Sequence, residues 1–539
     1  MQTFTTPDQY TPCHYTTNRA LIDNPIVNVT FDAVLRMDDT EWSAWLERVR
    51  LAVLTAWDTD NVPPRVGMTD ADIADAWDKF AASDPSSVWV RCDDGAEALS
   101  VPPGNHSVVN QWFPTMMKTK ITYSSKSDGI SIYDMFAQDD IWARYRKSYA
   151  TRHFRRDSFF AYSRAVHTHE AVPGTSVVPT TAYEYLRQLH DQQRSLPSDL
   201  FGDTSGPAYG VWLAPAAADD DYDGYSSHIK DRSIWTVTHA EAMTWKDSGE
   251  FPAHWFTAIG ATTAKKPHYM VRLYDTSARI FPLGFRSFRI SMCQYAVNWP
   301  SLGARALYER FTAGMSSPII WDPSSGWGGR LAGAVTSRTQ PTYIGCDPNT
   351  DHLWTDASGM RHSKYTEIAA YHASRTPFDA APSVVFFPCG SEVMRNQPEF
   401  QSYKERVDVV FTSPPYFAKE VYSDDPEQSA HKFSAFEEWC EGFLKPTIDT
   451  AADWLRPGGV LLWNIADAKF GGKLLPLEQR SIQYATNAGL LQMPTIRLLM
   501  SNMPGGNRVK EDGTGTAKNT CLVGGRLVKF EPIFVFLKP

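Results

Sequence analysis

Two kinds of hydrophobic pattern divide the chain. From about Pro318 onward, short unbroken apolar runs alternate with stretches of helical periodicity. The runs are "SPIIWD" (317–322), "PTYIGCD" (341–347), "SVVFFP" (383–388), "VDVVFT" (407–412) and "GGVLLWNI" (458–465), followed by "TIRLLM" (495–500) and "EPIFVFLK" (531–538). A short apolar run bounded by turn residues predicts a strand buried on both faces. Strands separated by helical crossovers predict a doubly wound, mostly parallel α/β sheet covered on both sides. The last two runs have no helix between them and predict an antiparallel hairpin at one edge. Their connection, 501–529, is long, polar and glycine-rich, and such a loop is either mobile or ordered by a ligand.

The first 290 residues have no such rhythm. Helix-like stretches such as "DDTEWSAWLERVRLAVLTAW" mix with proline-punctuated polar ones, which predicts an α+β region of no recognisable fold. The acidic "DDDYDGYSS" from Asp219 reads as a surface loop or linker. The expected organisation is therefore an N-terminal region, 1–290, with a break near 215–225, and a C-terminal domain, 291–539.

Composition narrows the class. The 539 residues are 42% hydrophobic and 21% charged, as in ordinary soluble globular proteins, and exceed what one core usually serves. Nothing resembles a secretory leader or a membrane span. The seven cysteines are dispersed with no CxxC pair, which fits neither a disulfide framework nor a zinc site and suggests a reduced, cytoplasmic setting with no metal. A net charge of −9 argues against a polyanion binder on the total alone, but local patches override totals. One such patch is "WARYRKSYATRHFRRDSFFAYSR" (142–164), where Arg144, Arg146, Lys147, Arg152, Arg155 and Arg156 lie among aromatics; basic residues interleaved with rings suit phosphate and groove contacts. Arg508 and Lys510 in the late loop are further candidates.

The chemistry collects at strand ends. "DPSSGWGG" sets Asp322, Gly326 and Gly328 after the first strand and at the start of a helix, where a cofactor must approach the backbone closely. The next strand ends in Asp347, where a carboxylate can accept both hydroxyls of a ribose. The third runs into "CGSEV", with Ser391 and Glu392. The fourth stops at Thr412-Ser413-Pro414-Pro415-Tyr416. A buried strand cannot continue through two prolines, which lack the ladder N–H. The strand end therefore becomes a stiff platform bearing a hydroxyl and an aromatic ring.

This order of DPSSGWGG, YIGCD, CGSEV and TSPPYF, continued by "LRPGG" and "FEPIFVFLKP", resembles the S-adenosylmethionine-dependent DNA amino-methyltransferases over about 298–539. It departs from their usual first motif, with Ser324 at the aromatic position and Trp327 between glycines. The resemblance implies a Rossmann-like methyltransferase domain and S-adenosylmethionine as cofactor. It assigns Asp322, Pro323, Ser325, Gly326, Gly328, Asp347, Ser391, Glu392 and Thr412 to the cofactor, and Ser413, Pro414, Pro415 and Tyr416 to catalysis on a flipped base. The implied partner is double-stranded DNA. RNA and a protein amide are alternative substrates for the same platform, and a spent scaffold that only binds nucleic acid is an alternative of another class. Serine in this motif leans toward cytosine N4 over adenine N6. No nuclease constellation accompanies it, which favours a solitary modifying enzyme. Whether the chain is a monomer or a homodimer is left open.

Overall fold

The computed structural model describes residues 3–5, 15–29, 33, 37, 39–63, 69–102, 108–122, 129–148, 165–170, 209–215, 233–237, 269–275, 296–376, 382–500 and 518–539. The chain divides into two units. One comprises 1–17, 69–134 and 293–539, the other 18–68 and 135–292.

The first unit is built on an eleven-stranded sheet. Its strands are β1 (Phe4–Thr5), β2 (Trp89–Arg91), β3 (Glu97–Leu99), β4 (Ile319–Asp322), β5 (Thr342–Cys346), β6 (Val384–Phe387), β7 (Val407–Thr412), β8 (Leu455–Asn464), β9 (Leu491–Leu499), β10 (Thr520–Val523) and β11 (Arg526–Leu537). The order across the sheet is β1-β6-β5-β4-β7-β8-β11-β9-β3-β2, with β10 paired to β11. From β6 to β8 all neighbours are parallel. These strands are buried on both faces, so their side chains are apolar at nearly every position: Ile320, Trp321, Ile344, Phe386, Val409, Val410 and Phe411 are almost wholly buried. Asp408 is one of the polar exceptions. Its carboxylate accepts from the Ile319 N–H (2.8 Å) and pairs with Arg456 (2.6 Å), tying the starts of β4, β7 and β8 together at the edge away from the glycine turn.

The helices follow from the same sequence. Among those that matter here are α1 (Asp70–Ala82), α2 (Ser301–Phe311), α3 (Gly329–Val335) and α4 (Lys364–Arg375). Thr69 caps α1 through a reciprocal capping box with Asp72, and the Ser363 hydroxyl accepts from the Tyr365 N–H at the start of α4; each satisfies a donor left open by the first turn.

The edge expectation needs correction. β11 pairs antiparallel with both β8 and β9, so it lies inside the sheet, and β3 and β2 extend the sheet beyond β9. The two runs do pair antiparallel, as β9 with β11, and a tight hairpin within their connection, β10–β11, is turned by Gly524 (φ 56°) and Gly525 (φ 75°), both in the left-handed region that favours glycine.

The division at 290/291 also needs correction, because N-terminal segments complete this sheet. β1 adds antiparallel to β6, with Phe4 opposite Phe386. β3 adds parallel to β9. Trp77 of α1 donates to His372 Nδ1 on α4 (3.2 Å), and Trp112 packs edge-on to Tyr371. Apolar cover for the sheet is drawn from both ends of the chain.

The second unit mixes helix and sheet. Its helix Asp39–Asp60 buries Trp42, Trp45, Val49, Val53 and Trp57, spaced three or four apart on one stripe. Its antiparallel sheet runs in the order Ala165–Glu170, Tyr269–Asp275, Tyr209–Pro215, Ser233–Val237. The expected break near 215–225 falls mostly outside the described residues. No helix among the described residues is long and apolar enough to cross a membrane.

Candidate active site

The carboxyl ends of β4 to β8 open onto one cavity of about 720 Å³, within the range of small-molecule sites. Ligands of open α/β sheets bind at this edge. Pro323, Ser325, Gly326, Asp347, Ser391 and Glu392 line it together with Ser413, Pro414, Pro415 and Tyr416. Asp322, Gly328 and Thr412 do not: they stand behind the wall.

Asp322 is wholly buried, and its carboxylate is engaged by three groups. Arg330 donates to both oxygens (2.8 and 3.1 Å), the Tyr343 hydroxyl donates at 2.7 Å, and the Ser324 N–H donates at 3.3 Å. Burial opposes the Arg330 charge, but Asp322 more than offsets it, so the guanidinium is held charged. Arg330 also donates to the Ser324 carbonyl. The role of Asp322 is therefore to fix the turn. Gly326 (φ 55°) and Gly328 (φ 71°) complete it in left-handed conformations. A side chain on Gly328 would also meet the Phe113 ring at 3.0 Å.

Asp347 faces the cavity. Its oxygens accept from the Gly326 N–H and the Asn349 N–H, each at 3.0 Å. Burial raises its pKa to about 7, against the lowering effect of those two hydrogen bonds. Behind it, the Tyr365 hydroxyl lies against the Gly326 carbonyl and 2.8 Å from His352 Nδ1. Burial lowers the His352 pKa to about 3, which keeps this ring neutral.

Glu392 is nearly buried. Lys432 donates to Oε1 at 2.8 Å, and Oε2 is buried without a partner among the described residues. An unfilled acceptor of this kind costs about 1–3 kcal/mol unless a ligand satisfies it. Ser391 shares its hydroxyl with Thr447 (2.7 Å) and is a wall residue.

The platform after β7 is arranged differently. Ser413 is half-buried, and its hydroxyl has no partner among the described residues. Pro414 and Pro415 set the backbone direction. The Tyr416 hydroxyl accepts from the Ala466 N–H (3.2 Å), which fixes its ring against the end of β8. Phe417 turns away at φ 54° and packs among Phe436, Trp439 and Phe470 in the core.

Several lining residues were not anticipated. Asn298 accepts from the Gly329 N–H (3.0 Å) and donates to the Trp327 carbonyl (2.6 Å), clamping the turn from outside it. Glu420, Tyr422, Asp467 and Glu531 form a further wall near Tyr416. Glu531 carried one signal, a charged residue at the head of the apolar run "PIFVFL". Tyr365 carried none, because its contact spans 39 residues of sequence.

The basic candidates fare unevenly. Arg144, Arg146 and Lys147 fall in the helix Asp139–Ser148, with only the backbone described, while Arg152, Arg155, Arg156, Arg508 and Lys510 lie outside the described residues.

No family model matches the chain, and no curated protein matches it. Solved structures do. One is a precorrin-6y C5,15-methyltransferase from Geobacter metallireducens GS-15, at 10% identity over 44% of this chain and 87% of that one, TM-score 0.24. Another is a SAM-dependent methyltransferase from Agrobacterium tumefaciens, at 13% identity over 47% and 66%, TM-score 0.27. A third is a candidate DNA modification methylase from Thermus thermophilus in complex with S-adenosyl-L-methionine, at 22% identity over 28% and 52%, TM-score 0.18. The chain spans about half the length of that third protein.

Proposed function

We propose that the chain is an S-adenosylmethionine-dependent methyltransferase acting on the exocyclic amine of a base extruded from DNA, with cytosine N4 favoured and adenine N6 next. The observation that carries this reading is that the glycine turn, Asp347 and Glu392 line the same cavity as Ser413, Pro414, Pro415 and Tyr416.

The residues present fit the cofactor. Gly326 lets the backbone approach without a side chain, Asp347 offers carboxylate oxygens to a ribose, and Glu392 Oε2 is an acceptor without a donor. When bound, the cofactor supplies a methyl group on a sulfonium centre, which makes that methyl electrophilic.

The chain's own contribution is positioning. An exocyclic amine is a poor nucleophile because its lone pair is delocalised into the ring. The Ser413 hydroxyl and the Pro414 carbonyl are acceptors for its hydrogens, and they draw the nitrogen toward tetrahedral geometry with its lone pair aimed at the methyl. This is electrostatic and positional catalysis and requires no covalent intermediate. The Tyr416 ring gives the base a stacking surface. Extrusion costs a few kcal/mol, and one aromatic contact returns about 1–3 kcal/mol, so further contacts to the base are required.

The test is to co-express the chain with DNA, digest that DNA and identify its nucleosides by mass spectrometry. N4-methylcytosine or N6-methyladenine, absent when Ser413 is replaced by alanine, is the expected result. Unmodified DNA alongside methylated RNA or protein would reassign the substrate.

A further inference from the structure

The wall facing Tyr416 holds two carboxyl groups that the proposed chemistry does not use. Glu531 heads the inner part of β11. The register sets Thr412 beside Trp463, and Ile533 beside Asn464. Glu531 therefore lies just beyond the carboxyl end of β8, at the same sheet edge as Ser413. Glu420 reaches the edge from the short strand Glu420–Val421, which pairs with Lys120–Ile121. Both glutamates line the cavity with Ser413 and Tyr416, and both act electrostatically on the Tyr416 hydroxyl, with Glu478 adding a weaker influence.

Their surroundings make them unlike surface acids. The Tyr422 hydroxyl donates to Glu420 Oε2. The Glu531 carboxyl has no hydrogen-bond or ion partner among the described residues. Other charges nearby are engaged or weaker in effect. Lys518 is bound to Asp467 (2.6 Å) and Glu478 (2.9 Å), while Lys419 and Lys529 act on Glu531 less than burial and Glu420 do. Burial raises the Glu531 pKa, and the neighbouring Glu420 raises it further. Burial raises that of Glu420 as well. A carboxyl in a confined wall beside a second carboxyl resists being charged, which favours the protonated form of Glu531.

We propose that Glu531, backed by Glu420, presents a carboxyl O–H to the ring nitrogen beside the target amine, and so is a specificity-determining residue of the site. This rests on the reading of the cavity as a base-methylating site. Cytosine carries an acceptor, N3, next to its amine, and adenine carries N1. The Watson–Crick edge of guanine carries N1–H beside its amine, and on that edge the donor would face the carboxyl O–H without a partner. The acid thus selects bases whose Watson–Crick edge sets the amine beside a bare ring nitrogen, while Ser413 and Pro414 take the amine hydrogens. A site built to pair with one hydrogen-bonding pattern rejects the opposite pattern strongly, because its buried polar groups are left unpaired.

The experiment compares full-length wild type, Glu531→Gln, Glu531→Ala and Glu420→Gln for methyl transfer from labelled S-adenosylmethionine to unmodified plasmid DNA between pH 6 and pH 9. Binding of S-adenosylhomocysteine is measured in parallel. Wild-type kcat/KM should fall at the alkaline end as the Glu531 proton is lost. Glu531→Gln keeps an N–H donor at every pH, so it should remain active and lose that alkaline limb. Glu531→Ala should lose about tenfold or more of kcat/KM with S-adenosylhomocysteine affinity unchanged. Glu420→Gln should shift the limb to lower pH, because one charge that raises the Glu531 pKa is gone.

A Gln variant as inactive as the Ala variant, or one with the wild-type pH profile, would overturn the proposal while leaving the methylation reading intact. A wild type that binds S-adenosylhomocysteine yet labels no DNA would overturn the methylation reading itself, and this inference with it. If Glu531→Ala does not fold, the near-isosteric Gln variant still decides the question.

Discussion

At the glycine turn, the strong polar groups are already engaged within the protein: Asp322 with Arg330 and Tyr343, Gly329 with Asn298, Gly326 with Asp347. At the diproline corner across the cavity, the Ser413 hydroxyl has no partner among the described residues, and the Tyr416 ring rests on the edge of the core with its hydroxyl held by the Ala466 N–H. The first region gives up little freedom when a ligand arrives. The second holds acceptors in reserve. Such a division is what a methyl-transfer site requires, because the donor has to be held rigidly while the acceptor base changes its bonding during reaction.

The largest effect should come from breaking the lock on the turn. Arg330→Met leaves the Asp322 carboxylate buried without its countercharge, and loss of one member of a buried pair costs about 3–5 kcal/mol. Urea unfolding should show that loss in the midpoint. The double variant Arg330→Met with Asp322→Leu should lose less than the single one, since no orphan charge remains. Equal losses would mean that the ion pair does not organise the turn.

Ser413→Ala should be the converse: little change in the unfolding midpoint and large damage to turnover. Removing one preorganised hydrogen-bonding group from a site of this kind lowers rates by about 10²–10³-fold. Calorimetry with S-adenosylhomocysteine should give wild-type affinity. If the variant turns over at the wild-type rate, Ser413 has no part in the mechanism.

Tyr416 tests the same wall more gently. Tyr416→Ala removes the ring and about 1–3 kcal/mol of base stacking, which should raise KM for DNA more than it lowers kcat. Tyr416→Phe keeps the ring and loses only the hydrogen bond from Ala466, worth about 0.5–1.5 kcal/mol. A Phe variant as impaired as the Ala variant would show that the hydroxyl, and not the ring, is what matters.

The difference between the walls also explains what could be read from the sequence. The parallel strands were legible because a strand buried on both faces must be continuously apolar, as Val407–Thr412 is apart from Asp408 and the closing threonine. Thr412-Ser413-Pro414-Pro415-Tyr416 was legible because two prolines fix a strand end wherever they fall. The placement of Asp322 was misread: its position before a glycine turn is the same whether its carboxylate points at a ligand or at Arg330, and only packing decides. Asn298 and Tyr365 were invisible because their contacts span 31 and 39 residues with no local periodicity. The strands from 4–5, 89–91 and 97–99 are too short for period-two alternation to register.

The finest distinction concerns Asp347, which lies on the rigid wall yet faces the cavity. Its folded pKa is about 7, raised by burial from 3.8 in an unfolded chain. The native state holds this proton more tightly than the unfolded state, so the group's stabilising contribution is full below pH 3.8 and is lost as pH rises through about 7. Cofactor binding should run the other way. Ribose hydroxyls donate to a carboxylate, so affinity should weaken as pH falls through about 7, and S-adenosylhomocysteine should bind about tenfold less tightly at pH 6 than at pH 8. Asp347→Asn should flatten that dependence at a uniformly lower affinity, since the amide accepts through one oxygen only. Titration calorimetry at several pH values measures both curves. A wild-type affinity independent of pH across this range would mean that the carboxylate does not hold the ribose, and would move the nucleoside elsewhere along the strand ends.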